Sequence, residues 1–412
     1  MKTKLNIGLF GFGCVGGGLY EVLNRSTLLD ATIKTICIKD PNKKRVISDY
    51  ILTTNKYDIL NDEEINIIVE VIDDAEAAYE IVKEAMIRGK HVVTANKKMV
   101  AEHLDELIEL SKTHGVSFLY EASVCGSIPI IRNLEEYYNN DSLSSVIGIC
   151  NGTTNYILSQ TNKGLSFDQA LTKAQELGFA ESDPTMDIDG FDSKFKLVLL
   201  IKHAFGITVD PSQIVNTGIR NVNYSDLIFA AEKGYRIKLF SRAQKIGKHV
   251  IGFVAPHFIP ESHFSFNVEN EFNAVVVEAL FSDKQLFLGK GAGSYPTASA
   301  VLSDISALQY DYNYEYKKTG SLQGVEFTND FILNVYIGSS DSATLSLINL
   351  EEEYAYYKSS GHAYKTGKVK FSELIKLDFN SRSDLFYAIL PDDEISLVVN
   401  PQVSKRIEVK HI

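Results

Sequence analysis

Residues 4–120 alternate short apolar runs with amphipathic stretches. Lys4 to Phe10 alternate weakly and predict a strand, and Thr35-Ile36-Cys37-Ile38 predicts a second. Ile65 to Val71 is almost continuously apolar between acids, the pattern of a parallel strand buried on both faces. Asp73-Asp74 then opens a helix over Ala75 to Arg88 that stops at Gly89. His91 to Lys97 predicts a strand, Val100 to His114 a helix, and Val116 to Tyr120 a further strand. Repeated β–α units imply an α/β domain around a parallel sheet.

Past residue 130 the periodicity changes. Ser166 and Gln169 have the spacing of a capping box for a helix ending at Gly178. Arg236 to Phe258 and Asn273 to Leu288 alternate with period two and predict an antiparallel sheet, so residues 131–294 form an α+β domain. Pro296 opens a helix over Thr297 to Gln309. Beyond Lys317-Lys318-Thr319-Gly320, Phe331 to Ile337 predicts a strand and Ile395 to Asn400 contains another. Glu351 to Tyr357 reads as an exposed helix or strand face.

Gly11-Phe12-Gly13-Cys14-Val15-Gly16 sits between the first strand and a helix opened by Leu19-Tyr20-Glu21-Val22-Leu23. In that context the loop is a dinucleotide site of Rossmann type. Gly11 allows the tight turn, Gly13 lets backbone approach the pyrophosphate, and Gly16 lets helix pack on strand. The helix N-terminus offers free N–H groups to phosphate. After the second strand, Lys39-Asp40-Pro41-Asn42-Lys43-Lys44-Arg45 carries both signs of charge. An acid there suits the ribose hydroxyls of NAD and cations suit the 2′-phosphate of NADP; the three consecutive cations favour NADP. Lys97, at the carboxyl end of its strand, is placed either for chemistry or as a solvated end-cap.

The densest chemistry lies in Glu181 to Lys196, where five carboxylates (Glu181, Asp183, Asp187, Asp189, Asp192) precede Lys194 and Lys196. Asp192 and Lys196 are four apart, so on a helix they share a face with the acid first. A surface pair of this kind stabilises by only roughly 0.2–0.5 kcal/mol. Here the helix runs into Leu197-Val198-Leu199-Leu200-Ile201, which demands burial, and a buried lysine needs a partner or loses its charge. An ammonium held by a carboxylate can exchange a proton with a carbonyl or hydroxyl.

Bulk properties narrow the field. A net charge of −12 over 412 residues disfavours nucleic acid and anionic membranes as partners. No apolar run reaches a membrane span, and the start of the chain flows straight into a strand without a signal peptide's apolar stretch. Cys14, Cys37, Cys125 and Cys150 are too scattered for zinc or a disulfide framework, so the cytoplasm is the expected compartment. His257 and His263 read as satisfied surface or interface histidines.

Several longer motifs, in order, resemble homoserine dehydrogenase over roughly the first three quarters of the chain. They are Thr94-Ala95-Asn96-Lys97, Tyr120-Glu121-Ala122-Ser123-Val124, Asn151-Gly152-Thr153-Thr154-Asn155-Tyr156-Ile157-Leu158, and Ala180-Glu181-Ser182-Asp183-Pro184 through Asp192 and Lys196. Gly289-Lys290-Gly291-Ala292-Gly293 and Pro296 to Val301 complete the set. The resemblance implies reversible NAD(P)H-dependent reduction of L-aspartate 4-semialdehyde to L-homoserine, a step in threonine, methionine and isoleucine biosynthesis. It makes Lys196 the catalytic lysine, Asp192 the acid that orients it, and Lys97 a second active-site lysine that also reaches the cofactor, as Thr94 does. It assigns Glu181 and Asp187 to the substrate's amino group and Gly152 and Thr153 to backbone contacts with substrate. Glu121, with the main-chain oxygens of Val124, Gly126 and Ile128, matches a structural sodium site; Glu121 could equally cap the following helix.

The resemblance also implies the domain plan. Residues 1–130 plus about 295–318 would form the NAD(P)-binding domain, residues 131–294 a substrate and dimerisation domain, and residues 319–412 a small α+β domain of the amino-acid-sensing ACT type, in a monofunctional homodimer or higher homo-oligomer. Three positions depart from the pattern. Asp73-Asp74 stands where many members carry two glycines, Phe179 replaces a tyrosine, and Ser339-Ser340-Asp341-Ser342 replaces the usual turn into the first ACT helix. Effector-binding and purely structural roles for the tail are equally open.

Two other readings compete. Aspartate-semialdehyde dehydrogenase chemistry needs a nucleophilic cysteine and a histidine base; Cys125 and Cys150 lack a histidine nearby in sequence, and the lysines would be unexplained. A non-enzymatic NAD(P) sensor would bind cofactor without turnover, yet Lys97, Glu181, Asp187, Asp192 and Lys196 are all present.

Overall fold

The computed structural model describes residues 4–27, 29–43, 45, 47, 51–320, 324–391 and 395–398. Among them, six strands form a parallel sheet in the spatial order Ile51–Thr53, Ala31–Cys37, Leu5–Phe10, Ile67–Glu70, His91–Thr94, Phe118–Leu119. The order reverses beside Leu5–Phe10, and the crevice beyond the carboxyl ends at that point is where such sheets take ligands. Ile67, Ile68 and Val69 are fully buried, as their unbroken apolar run requires.

Most boundaries fall within a few residues of the sequence reading, and two differences change where a functional residue sits. The strand after His91 ends at Thr94, and Lys97 is the first residue of a helix, Lys97–Glu102. Asn96 ends the extended run by capping that helix, its side chain accepting from Met99 N at 3.1 Å. The long helix expected over Val100 to His114 is two, separated at His103 from Leu104–His114.

Twelve strands among the described residues form the second sheet. Its main path runs Asp283–Lys290, Phe272–Ala279, Leu143–Ile149, Tyr235–Ile246, His249–Pro260, Leu385–Ile389, Phe331–Ser339, His362–Lys370, Glu352–Ser359. The tail strands thus continue the central sheet, joined where His257 pairs with Ile389. Glu352–Ser359 is its exposed edge. Ser396–Leu397 pairs with the strand Phe331–Ser339, while Asn400 lies outside the described residues.

The helix Phe191–Phe205 lies against this sheet and is buried around nearly its whole circumference from Asp192 to Phe205. Its apolar residues 197–201 are fully buried, and Ile201 packs so close to Gly252 that an added Cβ there would stand 2.8 Å from it. The helix Ser294–Ala307 returns to pack on the glycine-loop helix Cys14–Arg25. Ser294 Oγ donates to Cys14 O at 2.8 Å, and a Cβ on Gly18 would meet Ser294 Oγ at 2.4 Å. His257 is buried within the sheet rather than at the surface, its Nδ1 2.9 Å from Ala255 O.

Candidate active site

Gly190, in the left-handed region at φ 84°, turns the chain into the helix Phe191–Phe205 and puts Asp192 in its first turn. Lys196 follows one turn later, and its Nζ lies 2.6 Å from Asp192 Oδ2 and 2.7 Å from Cys150 O. Lys97 comes from the start of the helix Lys97–Glu102, which follows a strand of the parallel sheet, and its Nζ is 3.0 Å from Asp192 Oδ1. One carboxylate therefore receives both lysines. The Asp192 and Lys196 side chains are 7% and 9% exposed, while that of Lys97 is 38% exposed, so the cluster is open on the Lys97 side.

Burial opposes charge on both members of the inner pair. For Lys196 the Asp192 carboxylate outweighs that penalty and holds the ammonium above its ordinary value. For Asp192, Lys196 and then Lys97 outweigh burial and hold the carboxyl well below the usual range. The site is a preformed cationic pair around a fixed anion.

Asn151 completes it. Its Oδ1 accepts from Thr154 N at 2.8 Å, capping the helix Gly152–Thr161. Its Nδ2 lies 2.6 Å from Asp187 Oδ1 and 2.9 Å from Asp192 Oδ2, bridging two acids from different turns. Burial, then repulsion from Asp192, raises the Asp187 carboxyl. Asn151 opens the Asn151–Leu158 motif, and an asparagine three residues before the N–H whose hydrogen bond it accepts is the sequence signal for this role.

The remaining site residues divide. Gly152 opens its helix so close to the segment before Phe272 that a Cβ would stand 2.7 Å from Glu271 O. Thr153 Oγ1 donates to Phe179 O at 2.6 Å. Glu181 is exposed on the loop before Pro184, and among the described residues its carboxylate makes no ion pair. Of the other acids in this stretch, Asp189 turns away to a two-pronged pair with Arg220 (2.8 Å to each oxygen), and Asp183 accepts from Thr185 N in its own turn.

At the other end of the cleft, Gly11 has φ 96° and packs against Val71 O, 2.7 Å from where a Cβ would lie. A Cβ on Gly16 would stand 2.2 Å from Gly11 O, whereas one on Gly13 would meet nothing within 4 Å. The loop is thus closed on the protein side and open where a pyrophosphate would approach, which fits a dinucleotide. Phe12 packs edge-on to Tyr20, Cys14 is exposed and Val15 half-buried. Thr94 is fully buried, and its hydroxyl donates to Glu70 Oε2 at 2.6 Å; burial pushes Glu70 up to about 7. Asp74 caps the helix Ala75–Ile87, accepting from Ala77 N at 3.1 Å.

The sequence model described as homoserine dehydrogenase matches residues 129–306, and the one described as homoserine dehydrogenase, NAD binding domain, matches residues 11–121. The homoserine dehydrogenase of Bacillus subtilis is 34% identical over 393 residues, covering 92% of this chain and 89% of its own. This chain belongs to the homoserine dehydrogenase family. It is an NAD(P)-dependent oxidoreductase with a nicotinamide-cofactor domain. The crystal structure of a homoserine dehydrogenase from Thiobacillus denitrificans superposes with a TM-score of 0.83 at 30% identity, covering 94% of this chain and 98% of that one. A hyperthermophilic archaeal homoserine dehydrogenase mutant in complex with NADPH matches at TM-score 0.66 and 27% identity, over 76% of this chain and all of that one. No helix among the described residues is long and apolar enough to cross a membrane.

Outside the cleft, Glu121 is buried, and its oxygens accept from Ile131 N and Arg132 N, each at 2.9 Å. It therefore caps the helix Ile130–Glu135. Val124, Gly126 and Ile128 follow on a turn in which Cys125 and Gly126 are both left-handed (φ 55° and 56°).

Proposed function

We propose that Lys196 is the acid–base residue for reversible reduction of L-aspartate 4-semialdehyde to L-homoserine, with Lys97 as its partner and Asp192 as the anion that orients both. The shared Asp192 carboxylate is the observation that carries this reading. When bound, the nicotinamide supplies hydride to the aldehyde carbon. Negative charge then builds on the aldehyde oxygen. Lys97 and Lys196 offer preorganised positive charge there, and Lys196 delivers the proton. In the oxidative direction the same side chain withdraws the hydroxyl proton.

The substrate's own ammonium pairs with Glu181 and Asp187. An incoming cation offsets the burial and the Asp192 repulsion that together raise Asp187, so binding and charge are linked. The free N–H groups of Gly152 and Thr153, ahead of the capped Thr154 N, suit the substrate carboxylate.

Gly11, Phe12, Gly13, Cys14, Val15 and Gly16 would hold the pyrophosphate, with Thr94 and Lys97 toward the nicotinamide. We assign the cofactor as NADP. Lys39 and Lys43 are exposed beyond the second strand, and Arg45 reaches back to Asp40 O and Lys43 O at 2.8 Å each; Lys44 lies outside the described residues. Comparing kcat/KM for NADPH and NADH tests this. A preference of about tenfold or more for NADPH is expected, roughly 1.4 kcal/mol, and the reverse preference would overturn it.

A structural sodium ion would sit on Glu121 and the main-chain oxygens of Val124, Gly126 and Ile128. The donor set fits a hard monovalent cation: it is all oxygen, and Glu121 lies buried beside Asp304, which among the described residues is ion-paired to Arg132 alone, 2.9 Å away. The ion's role is to neutralise this buried acid pair.

The domain division is residues 1–130 plus about 295–318 for cofactor, 131–294 for substrate and dimerisation, and 319–412 for an ACT-like tail. A homodimer built on the hairpin of strands 272–279 and 283–290 is supported by exposed Leu280, Phe281, Leu286 and Leu288. Four unpaired cysteines suit the reducing cytoplasm.

A further inference from the structure

The carboxyl-terminal strands do more than extend the sheet. The loop before Leu385–Ile389 reaches back to the turn that launches the catalytic helix. Asn380 Oδ1 accepts from Gly218 N at 3.2 Å, while its Nδ2 donates to Asn216 O at 2.9 Å and Asp189 O at 3.4 Å. Asn216 Nδ2 donates to the same Asp189 carbonyl at 2.8 Å. Two asparagine amides, one from the tail, thus converge on the main-chain oxygen immediately before Gly190, three residues ahead of Asp192.

The contact is reciprocated. Asn221 Nδ2 lies within hydrogen-bonding distance of the carbonyls of Phe379 (2.7 Å), Leu385 (3.0 Å) and Arg382. Each asparagine gathers carbonyls of the other segment, and together they close a clasp.

What the clasp grips is tightly built. Ile219 N donates to Ile188 O at 2.7 Å, and a Cβ on Gly218 would stand 1.8 Å from that oxygen. Arg220 holds the Asp189 carboxylate with both prongs at 2.8 Å. Gly190 N donates to Asp187 O at 3.0 Å, so the short segment carrying Asp187 and Asp189 is tied directly to the start of the helix that carries Asp192. A shift at the Asp189 carbonyl is transmitted through the left-handed Gly190 to the Asp192 carboxylate that anchors both lysines. Proximity catalysis is sensitive to displacements of this kind: about 1 Å can cost on the order of a hundredfold in rate.

We infer that Asn380 is a positioning residue for the reaction, through which the tail fixes the Asp187–Asp192 turn. This deepens the assignment of Asp192 and Lys196 and rests on it. An amide is required because the site needs one acceptor, for Gly218 N, and donors for two carbonyls; an aspartate would put negative charge against those carbonyls.

The test uses the full chain with NADPH and L-aspartate 4-semialdehyde, well below the melting temperature. Asn380→Ala is expected to lower kcat by about five- to tenfold, with the KM for NADPH unchanged because the glycine loop lies away from the clasp. Asn380→Asp, which keeps only the acceptor, is expected to fall at least as far. Asn221→Ala opens the other half and is expected to lower Tm with a smaller loss in kcat. Folded Asn380→Ala with wild-type kcat would overturn the proposal. Should Asn380→Ala not fold, wild-type kcat in Asn380→Asp would overturn it instead. The Asp192 and Lys196 assignment stands or falls separately, on Lys196→Ala.

Discussion

Lys97 and Lys196 hold the two oxygens of one carboxylate: Lys97 Nζ is 3.0 Å from Asp192 Oδ1, and Lys196 Nζ is 2.6 Å from Asp192 Oδ2. They arrive on two different helices, Lys97–Glu102 and Phe191–Phe205, and are 99 residues apart in sequence (196 minus 97). The fold brings them together by setting the capped helix at Lys97 against the buried helix at Lys196. The anion between them cancels their mutual repulsion and keeps Lys196 charged in a site where burial alone would neutralise it.

Asp192→Asn removes that anion. Breaking a buried pair costs about 3–5 kcal/mol, and a lower Tm is expected. The pH dependence follows from the direction of each shift. Asp192 is depressed in the fold, so its contribution is present above the ordinary carboxylate value and lost as pH falls through the depressed one. Lys196 is raised, so its contribution is present below the ordinary ammonium value and lost as pH rises through the raised one. In Asp192→Asn, burial acts on Lys196 without its main opponent. The reductive kcat of that variant should fall on the alkaline side at a pH where the wild type is still flat. Identical alkaline limbs would contradict the role given to Asp192.

The glycine loop separates folding from binding. Gly16→Ala needs a Cβ 2.2 Å from Gly11 O, and a loss of about 1–3 kcal/mol is expected, the range for overpacking. Gly13→Ala meets no protein atom within 4 Å, so its Tm should match wild type. Its methyl lies on the face left open for the pyrophosphate, so KM for the cofactor should rise while kcat at saturation changes little. An unchanged cofactor KM in Gly13→Ala would remove the dinucleotide from this loop.

Burial, then Asp304, pushes the Glu121 carboxyl up to about 8. A raised carboxyl contributes stability that is fully present below its ordinary value and lost as pH rises through about 8. Glu121→Gln should therefore flatten the decline of Tm across that window. If sodium sits on Glu121, replacing choline chloride by sodium chloride at pH near 8 should raise the wild-type Tm by about 2–4 °C, the effect of roughly 1 kcal/mol in a domain of this size. The variant should not respond. Equal responses in both proteins would leave Glu121 as a helix cap only.

The repeated β–α units and the glycine loop were legible because their signals are local: apolar runs of strand length and glycines at fixed offsets. The Asp192–Lys196 pair was legible for the same reason, being one helical turn apart. Long-range sorting was not. Five acids in 181–192 look alike in sequence, yet the fold pairs Asp192 with both lysines, holds Asp187 on Asn151, pairs Asp189 with Arg220 and leaves Glu181 exposed. Which acid goes where depends on Arg220 and Asn151, residues 31 and 41 positions from their respective carboxylates. Lys97 was expected at a strand end. It begins a helix because Asn96 caps Met99 N, a signal that Thr-Ala-Asn-Lys contains but that the preceding β-branched run obscured. The clasp at Asn380 was hidden, since a lone asparagine in a polar loop carries no signature of the carbonyls it will meet.

The central claim is that the cation at Lys196 stabilises and protonates the oxygen that becomes the alcohol of homoserine. Its most direct test is steady-state loss of NADPH on addition of L-aspartate 4-semialdehyde, comparing wild type with Lys196→Ala. The expected result is a fall in kcat of at least about a hundredfold, the lower range for removing one general acid, with KM for NADPH preserved. A folded Lys196→Ala protein turning over at close to the wild-type rate would contradict it.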